Sequence, residues 1–209
     1  MLSGSHRVGK STLAKAFSEK TGVPFVQTGA SQVFQEMGLD PKVDYPLEVR
    51  LGIQKKILES FEKQCKPYSN KSFVTDRTPI DFMAYTLADC QRGNISDELS
   101  EKIGLYMEDC VNLTNWLFPV LIVVQPGIPL VEEKDKAPAN IAYVEHINHL
   151  IMGLVVSEAI QSEHFYIPRH VIDLRERIDC MEYGLSRANQ KFDVFKKSMA
   201  QSGEAIIFH

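Results

Sequence analysis

Short apolar runs alternate with longer segments of helical periodicity along most of the chain. Four runs have the length of buried strands: 25–27, 72–76, 120–125 and 164–168. Strands that alternate with helices predict a parallel sheet covered on both faces. We therefore expect an α/β fold of three layers, with a mostly parallel sheet of about five strands and helices on both faces.

Apolar residues at three- and four-residue spacing predict the helices. The clearest stripes begin after Pro46, cover 99–117 and cover 141–155. Asp173, followed three residues later by Glu176, resembles a capping box and predicts a further helix. We interpret nearly all of these stripes as core packing.

One segment between a predicted strand and a predicted helix is too polar to pack. Residues 132–140 contain five consecutive charged residues and then Ala-Pro-Ala. We interpret 131–140 as a solvated loop that is either a lid or an inert surface segment. As a lid it would bring Lys134 and Lys136 to a bound triphosphate.

Composition narrows the class of protein. A length of 209 residues fits a single domain over 1–209. The chain carries 23 Lys and Arg against 27 Asp and Glu, a net charge of −4. This charge disfavours binding to nucleic acid without excluding it. No apolar run is long enough to span a bilayer. The 4 cysteines lie far apart, as expected of reduced thiols in a cytoplasmic protein.

Residues 4–11 read GSHRVGKS and match the phosphate-binding pattern G-x-x-x-x-G-K-[ST]. Gly4 and Gly9 would let the backbone amides surround phosphates, and the helix that follows adds its positive end. Lys10 would bridge the β- and γ-phosphates of ATP, and Ser11 would supply a hydroxyl to Mg²⁺. The other residues predicted to contact the nucleotide are Ser5, His6, Val8 and Thr12.

A second charged motif follows the predicted strand 72–76. That strand ends in Asp76, and Arg77 comes next, whereas ATP-driven motors place a water-activating glutamate there. The GTPase patterns N-K-x-D and D-x-x-G do not occur. An arginine at this place suits a second phosphate or a phosphorylated acceptor.

The loop GSHRVGKST and the later pattern D-R-x-x-x-x-x-x-A-Y (Asp76, Arg77, Ala84, Tyr85) resemble the P-loop nucleoside and nucleotide kinases. The similarity is greatest to thymidylate kinases, and extends to the nicotinamide riboside kinase type and to viral deoxynucleotide kinases. It implies that Asp76 acts beside Mg²⁺ or as the base for the acceptor, and that Arg77 holds the acceptor phosphate. It also implies a catalytic role for Arg7, because some thymidylate kinases place an arginine at this loop position and none in the lid.

Two residues depart from the thymidylate kinase pattern. His6 stands where that family has an acid that contacts the acceptor sugar, and Thr78 stands where it has an aromatic residue. Both differences concern acceptor recognition, so the resemblance does not specify thymidylate.

The acceptor site is expected within 27–60. Phe34 and Tyr45 would stack on a base or belong to the core, Arg50 would reach an acceptor phosphate or face solvent, and Gln54 would contact a base edge. Beyond the last predicted strand, Arg175 and Arg177 would flank the adenine of ATP or carry surface charge.

Together these features predict ATP- and Mg²⁺-dependent phosphoryl transfer to a (deoxy)nucleoside monophosphate. The partner would be a small nucleotide or nucleoside, with no membrane involved, and a homodimer is one assembly that the protein could form. Two alternatives stay open: a kinase for a free hydroxyl of a nucleoside, nicotinamide riboside or modified DNA base, and a non-catalytic ATP-binding switch.

Overall fold

The structure is a computed structural model that describes residues 1–41, 43–90, 94–132 and 139–202, without side-chain detail at 31 and 197–202. The strands are β1 (Leu2–Ser3), β2 (Phe25–Val26), β3 (Val74–Thr75), β4 (Val120–Val124) and β5 (Glu163–Ile167). The helices are α1 (Lys10–Thr21), α2 (Ala30–Glu36), α3 (Leu47–Cys65), α4 (Pro79–Cys90), α5 (Asp97–Leu117), α6 (Ile141–Val155) and α7 (Leu174–Ser202).

All strand pairs in the described residues are parallel, which confirms the α/β prediction. The prediction of one sheet of about five strands is wrong, because the strands form a three-stranded sheet in the order β1-β4-β5 and a two-stranded sheet, β2-β3. β1, β2 and β3 have two residues each, and among the described residues β1 does not pair with β3, which would join the two sheets. The two sheets are nevertheless neighbours, since Thr75 Oγ1 lies 2.9 Å from Met1 Sδ.

Alternate residues of β4 face opposite sides of the sheet and define three layers. Leu121 and Val123 join the core formed with α3, α4, α5 and α6. Ile122 and Val124 join a second core formed with α1 and α7. The predicted helices of both layers are present, and Asp173 caps α7 by accepting from the backbone N–H groups of Arg175 and Glu176.

Two helices escape the analysis of periodicity. α4 shows no polar stripe, because residues 79–84 are all buried. Its first turns therefore have no solvent-facing side that polar residues would mark. α2 is only 7 residues long and half polar, which is too short to show a period. No helix within the described ranges is long and apolar enough to cross a membrane.

Candidate functional site

The phosphate-binding loop connects β1 to α1 at the carboxyl end of the sheet. Gly4 has φ 153°, and a Cβ there would lie 2.6 Å from the backbone oxygen of Val124, so only glycine fits against β4. Gly9, with φ 83°, caps the start of α1. Arg7 also has a positive φ, 63°, although it carries a side chain. The loop thus has the left-handed turns that aim successive backbone amides inward.

Lys10, the first residue of α1, is buried inside this loop. Its ammonium donates to the backbone oxygens of Ser5, at 2.7 Å, and of Gly4. It also lies 3.9 Å from Oδ2 of Asp81. Burial lowers the pKa of Lys10 to about 8, and the nearby Asp81 carboxylate opposes that change.

Asp81 is a buried charged residue that sequence reasoning did not include in the site. Its Oδ1 accepts from Ser3 Oγ at 2.6 Å and from the backbone N–H of Gly4 at 2.9 Å. Burial raises its pKa, and Lys10 opposes the rise. The signal was available, because Asp81 is the one charged residue among 79–88, a run that is otherwise apolar except for Thr86.

Ser11 and Asp76, the two predicted Mg²⁺ ligands, lie together. Ser11 Oγ donates to Asp76 Oδ2, and the other carboxylate oxygen lies 3.4 Å from both the N–H and the hydroxyl of Thr28. The described residues contain no cluster of three or more His, Cys, Asp or Glu suited to a metal. A hydroxyl beside one carboxylate fits Mg²⁺, which takes few protein ligands and completes its shell with water and phosphate.

Three further predicted residues lie around the mouth of the loop. The backbone N–H of His6 donates to the Tyr85 hydroxyl at 3.0 Å, and the His6 ring is 5.6 Å from the ring of Tyr143. Arg7 donates to the backbone oxygen of Val131, so its side chain extends toward the chain that leads into 131–140. Arg77 is half-buried and, like His6, lines the cavity described next.

A cavity of about 600 Å³, here called the acceptor cavity, opens beside the loop. This volume suits a small organic ligand. Its walls come from the loop and from helices α2, α3, α4 and α6; they include all four residues predicted for the acceptor, which are Phe34, Tyr45, Arg50 and Gln54. The structure therefore brings the acceptor candidates to one place, next to the predicted donor site.

The polar groups of the acceptor cavity differ in their hydrogen-bond partners within the protein. Arg50 donates to Asp89 at 2.8 Å, to the backbone oxygen of Tyr45 at 2.9 Å, and to Asp44. These partners raise the pKa of Arg50 against the effect of its burial. The amide oxygen of Gln54 is buried and has no hydrogen-bond partner among the described residues.

The two arginines that follow β5 have different positions. Arg175 is exposed at the start of α7. Arg177 is only 1% exposed, so it is not a surface charge. It donates through Nη1 to the backbone oxygen of Val8 at 2.8 Å and through Nε to that of Val171 at 2.9 Å. Arg177 therefore connects the phosphate-binding loop to the segment between β5 and α7 through two hydrogen bonds.

The remaining predicted contacts are divided between loop, helix and segment 131–140. Ser5 and Val8 are buried within the loop, whereas Thr12 is exposed on α1. Lys134 and Lys136, with most of the predicted lid, lie outside the described residues.

Comparisons with known proteins agree with this architecture. Deoxyadenosine kinase from M. mycoides with bound dCTP is similar at a TM-score of 0.60 and 15% identity, over 89% of this chain and 97% of that chain. The same enzyme with the products dCMP and a flexible dCDP gives 0.62 and 16% over 89% and 97%. With bound dATP it gives 0.62 and 16% over 88% and 97%. At these identities the likeness concerns the fold.

Sequence comparisons are narrower. Curated proteins give no significant match. A family model described as an AAA domain matches residues 1–119, more than half of the chain, and includes the phosphate-binding loop and the Asp76-Arg77 motif. The chain belongs to this AAA domain family, and it has the fold of the P-loop nucleoside and nucleotide kinases.

Proposed function

We propose that the protein is a kinase that transfers the γ-phosphoryl group of Mg²⁺-bound ATP to a (deoxy)nucleoside monophosphate. The observation that carries the proposal is the junction of two sites. The phosphate-binding loop and the acceptor cavity share a boundary, at which His6 and Arg77 line the cavity. A donor and an acceptor bound on either side would meet there for direct transfer.

On the donor side, the amides of 4–11 and the start of α1 would bind the phosphates, with Lys10 between the β and γ groups. Ser11 and Asp76 would hold Mg²⁺, which supplies charge neutralisation on the phosphates when bound. Arg7 would contact the transferring group. Ser5, His6, Val8, Thr12, Lys134, Lys136 and Arg175 remain predicted contacts of the nucleotide.

On the acceptor side, Arg77 would orient the phosphate of the acceptor. Phe34 and Tyr45 would stack against its base, and the unpartnered amide of Gln54 would take a hydrogen bond from the base edge. An oxygen of the acceptor phosphate attacks the γ-phosphorus, and ADP leaves with the bridging oxygen. These residues position the reactants and neutralise charge, which is the main work of phosphoryl-transfer enzymes.

An acceptor panel tests the proposal. The purified protein is incubated with Mg²⁺, ATP and each (deoxy)nucleoside or monophosphate in turn, and ADP and the phosphorylated product are measured. We expect acceptor-dependent ADP formation that falls at least about 100-fold in Lys10→Ala. Lys15→Ala, an exposed lysine on the same helix, is the matched control and should retain full activity. Equal rates in the two variants would refute the assignment of the loop.

A second candidate is a nucleoside kinase that phosphorylates a free hydroxyl. Of the two arginines that line the acceptor cavity, Arg50 already donates to Asp89 and Asp44. Arg77 alone would then face an acceptor phosphate. A single arginine suits an acceptor with an uncharged hydroxyl better than an acceptor with a doubly charged phosphate. The M. mycoides enzyme with a similar fold is a deoxyadenosine kinase, which favours the same candidate. Preference for nucleosides over monophosphates in the panel would select this candidate.

Two other outcomes have their own signatures. Oligonucleotides with hydroxylated bases, added to the panel, would reveal a kinase for modified DNA. ATP binding without any acceptor-dependent turnover would indicate a non-catalytic switch. We also propose that the protein works in the reducing cytoplasm, because all four of its cysteines are free thiols.

A further inference from the structure

The carboxylate of Asp81 is buried, and its two oxygens are used differently. Oδ1 accepts from Ser3 and from the backbone of Gly4, at the start of the phosphate-binding loop. Oδ2 has no hydrogen-bond partner in the described part of the chain, and the nearest cation is the ammonium of Lys10, 3.9 Å away. A buried carboxylate with one unsatisfied oxygen is costly unless a charge compensates it.

Lys10 is held by the loop itself. Its ammonium donates to the backbone oxygens of Gly4 and Ser5 and lies 3.9 Å from Oδ2 of Asp81. A lysine that binds phosphates must release these carbonyl oxygens, because a bound triphosphate would occupy the centre of the loop. The ammonium thus has two alternative sets of partners, one of protein oxygens and one of phosphate oxygens.

We propose that Asp81 is a positioning residue that holds Lys10 in its resting place and competes with the triphosphate for it, thereby limiting the affinity for ATP. This inference rests on the proposed ATP site. Asp81 lies in the first turn of α4, the helix that also lines the acceptor cavity through Phe82, Tyr85 and Asp89. The competition would therefore involve a helix that contacts both the phosphate-binding loop and the acceptor cavity.

The energetic reasoning predicts opposite effects on stability and on binding. Without the charge of Asp81, Lys10 is a buried cation with no counter-ion, so the nucleotide-free protein loses stability. Triphosphate supplies the missing negative charge, so binding of ATP recovers the loss. A residue that only braced the loop would instead weaken ATP binding when it is removed.

The first experiment compares Asp81→Asn with Ser3→Ala. Asn keeps an acceptor oxygen for Ser3 and Gly4 and removes the charge, whereas Ser3→Ala removes one hydrogen bond and keeps the charge. Affinity for Mg·ATP is measured by calorimetry without an acceptor, and melting temperature is measured with and without ATP. We expect Asp81→Asn to melt lower without ATP and to bind ATP at least about tenfold more tightly, within the range of close charge pairs. Ser3→Ala should melt lower with an unchanged affinity.

A double-mutant cycle with Lys10→Met separates competition from simple repulsion between Asp81 and the phosphates. If Asp81 acts through Lys10, Asp81→Asn has little effect on ATP affinity in the Lys10→Met background. The same cycle tests the pair without nucleotide: Lys10→Met alone leaves Asp81 uncompensated, and adding Asp81→Asn should raise the melting temperature again. This second readout remains informative if Asp81→Asn alone fails to fold.

The outcomes are distinguishable. ATP affinity that is unchanged or weakened in Asp81→Asn overturns the inference alone, as does equal tightening with and without Lys10. A double variant no more stable than Lys10→Met also overturns it. Absence of ATP binding in the unaltered protein refutes the nucleotide site, and the inference with it.

Discussion

Arg177 offers a sharp test of how the phosphate-binding loop is supported. Its guanidinium is buried and donates to the backbone oxygens of Val8 in the loop and Val171 before α7. Arg177→Met keeps much of the side-chain volume and removes both hydrogen bonds. Hydrogen bonds to a charged group contribute about 1.5–3 kcal/mol each. The relief of burying a charge offsets part of that loss, since burial lowers the pKa of Arg177 and one of its nitrogens has no partner among the described residues.

Two such bonds would contribute about 3–6 kcal/mol, and the offset favours the lower end. We therefore expect Arg177→Met to lower the free energy of unfolding by about 3 kcal/mol. For a chain of this size, this is a fall of roughly 6–12 °C in melting temperature. Urea unfolding followed by circular dichroism measures the free energy directly. Arg187→Met is the matched control, because Arg187 is exposed on the same helix and should change stability by less than about 0.5 kcal/mol.

Binding provides a second readout for the same variant. A Cβ at Gly9 would lie 3.1 Å from Arg177 Nη1, so the guanidinium packs directly against Gly9 of the loop. Loss of that support should weaken the binding of Mg·ATP in Arg177→Met and not in Arg187→Met. Equal stability and equal ATP affinity in the two variants would show that the loop keeps its shape without Arg177.

Three further predictions concern packing, thiol reactivity and helix capping. Gly127→Ala should be strongly destabilising in thermal unfolding, because a Cβ there would lie 1.9 Å from a backbone oxygen. Gly153→Ala, in open space on α6, should instead stabilise the protein by up to about 1 kcal/mol. Equal effects of the two substitutions on stability would contradict this packing. Burial raises the pKa of Cys65 and Cys110 to about 12, so a thiol reagent at pH 8 should modify these two only after denaturation, and rapid reaction of all four thiols in the native protein would contradict this. Ser96→Ala removes the side-chain oxygen that accepts from the N–H of Leu99 and should lower stability by about 1 kcal/mol in urea unfolding; no change would show that the cap is dispensable.

The parts of the fold that sequence predicts well are those with a local cause. The phosphate-binding loop is identified because its chemistry requires glycines at fixed positions, and Gly4 and Gly9 adopt backbone angles that favour glycine. Helices α3, α5 and α6 carry an apolar stripe, because each has one buried face and one face in solvent. In these cases neighbouring residues contain the relevant information.

The parts that sequence misses depend on distant contacts. Arg177 resembled a surface charge, because its acceptor in the loop lies 169 residues away along the chain. Asp81 is separated from Ser3 by 78 residues, and no spacing rule connects them. The division of the sheet follows from the extent of each ladder, which a pattern of apolar residues does not specify. Candidate acceptor residues could be named from their chemistry, but only the folded chain shows them around one cavity.

Helix α4 also sets a fixed spacing between the phosphate-binding loop and the acceptor cavity. Asp81, Tyr85 and Asp89 follow one another at intervals of four, so they lie along one side of the helix, from the lysine of the loop to the wall of the acceptor cavity. At a rise of 1.5 Å per residue, the first and last are separated by about 12 Å along the axis. Because a helix does not stretch as a loop can, under the proposed kinase function α4 would fix the distance between the phosphates of the donor and the acceptor.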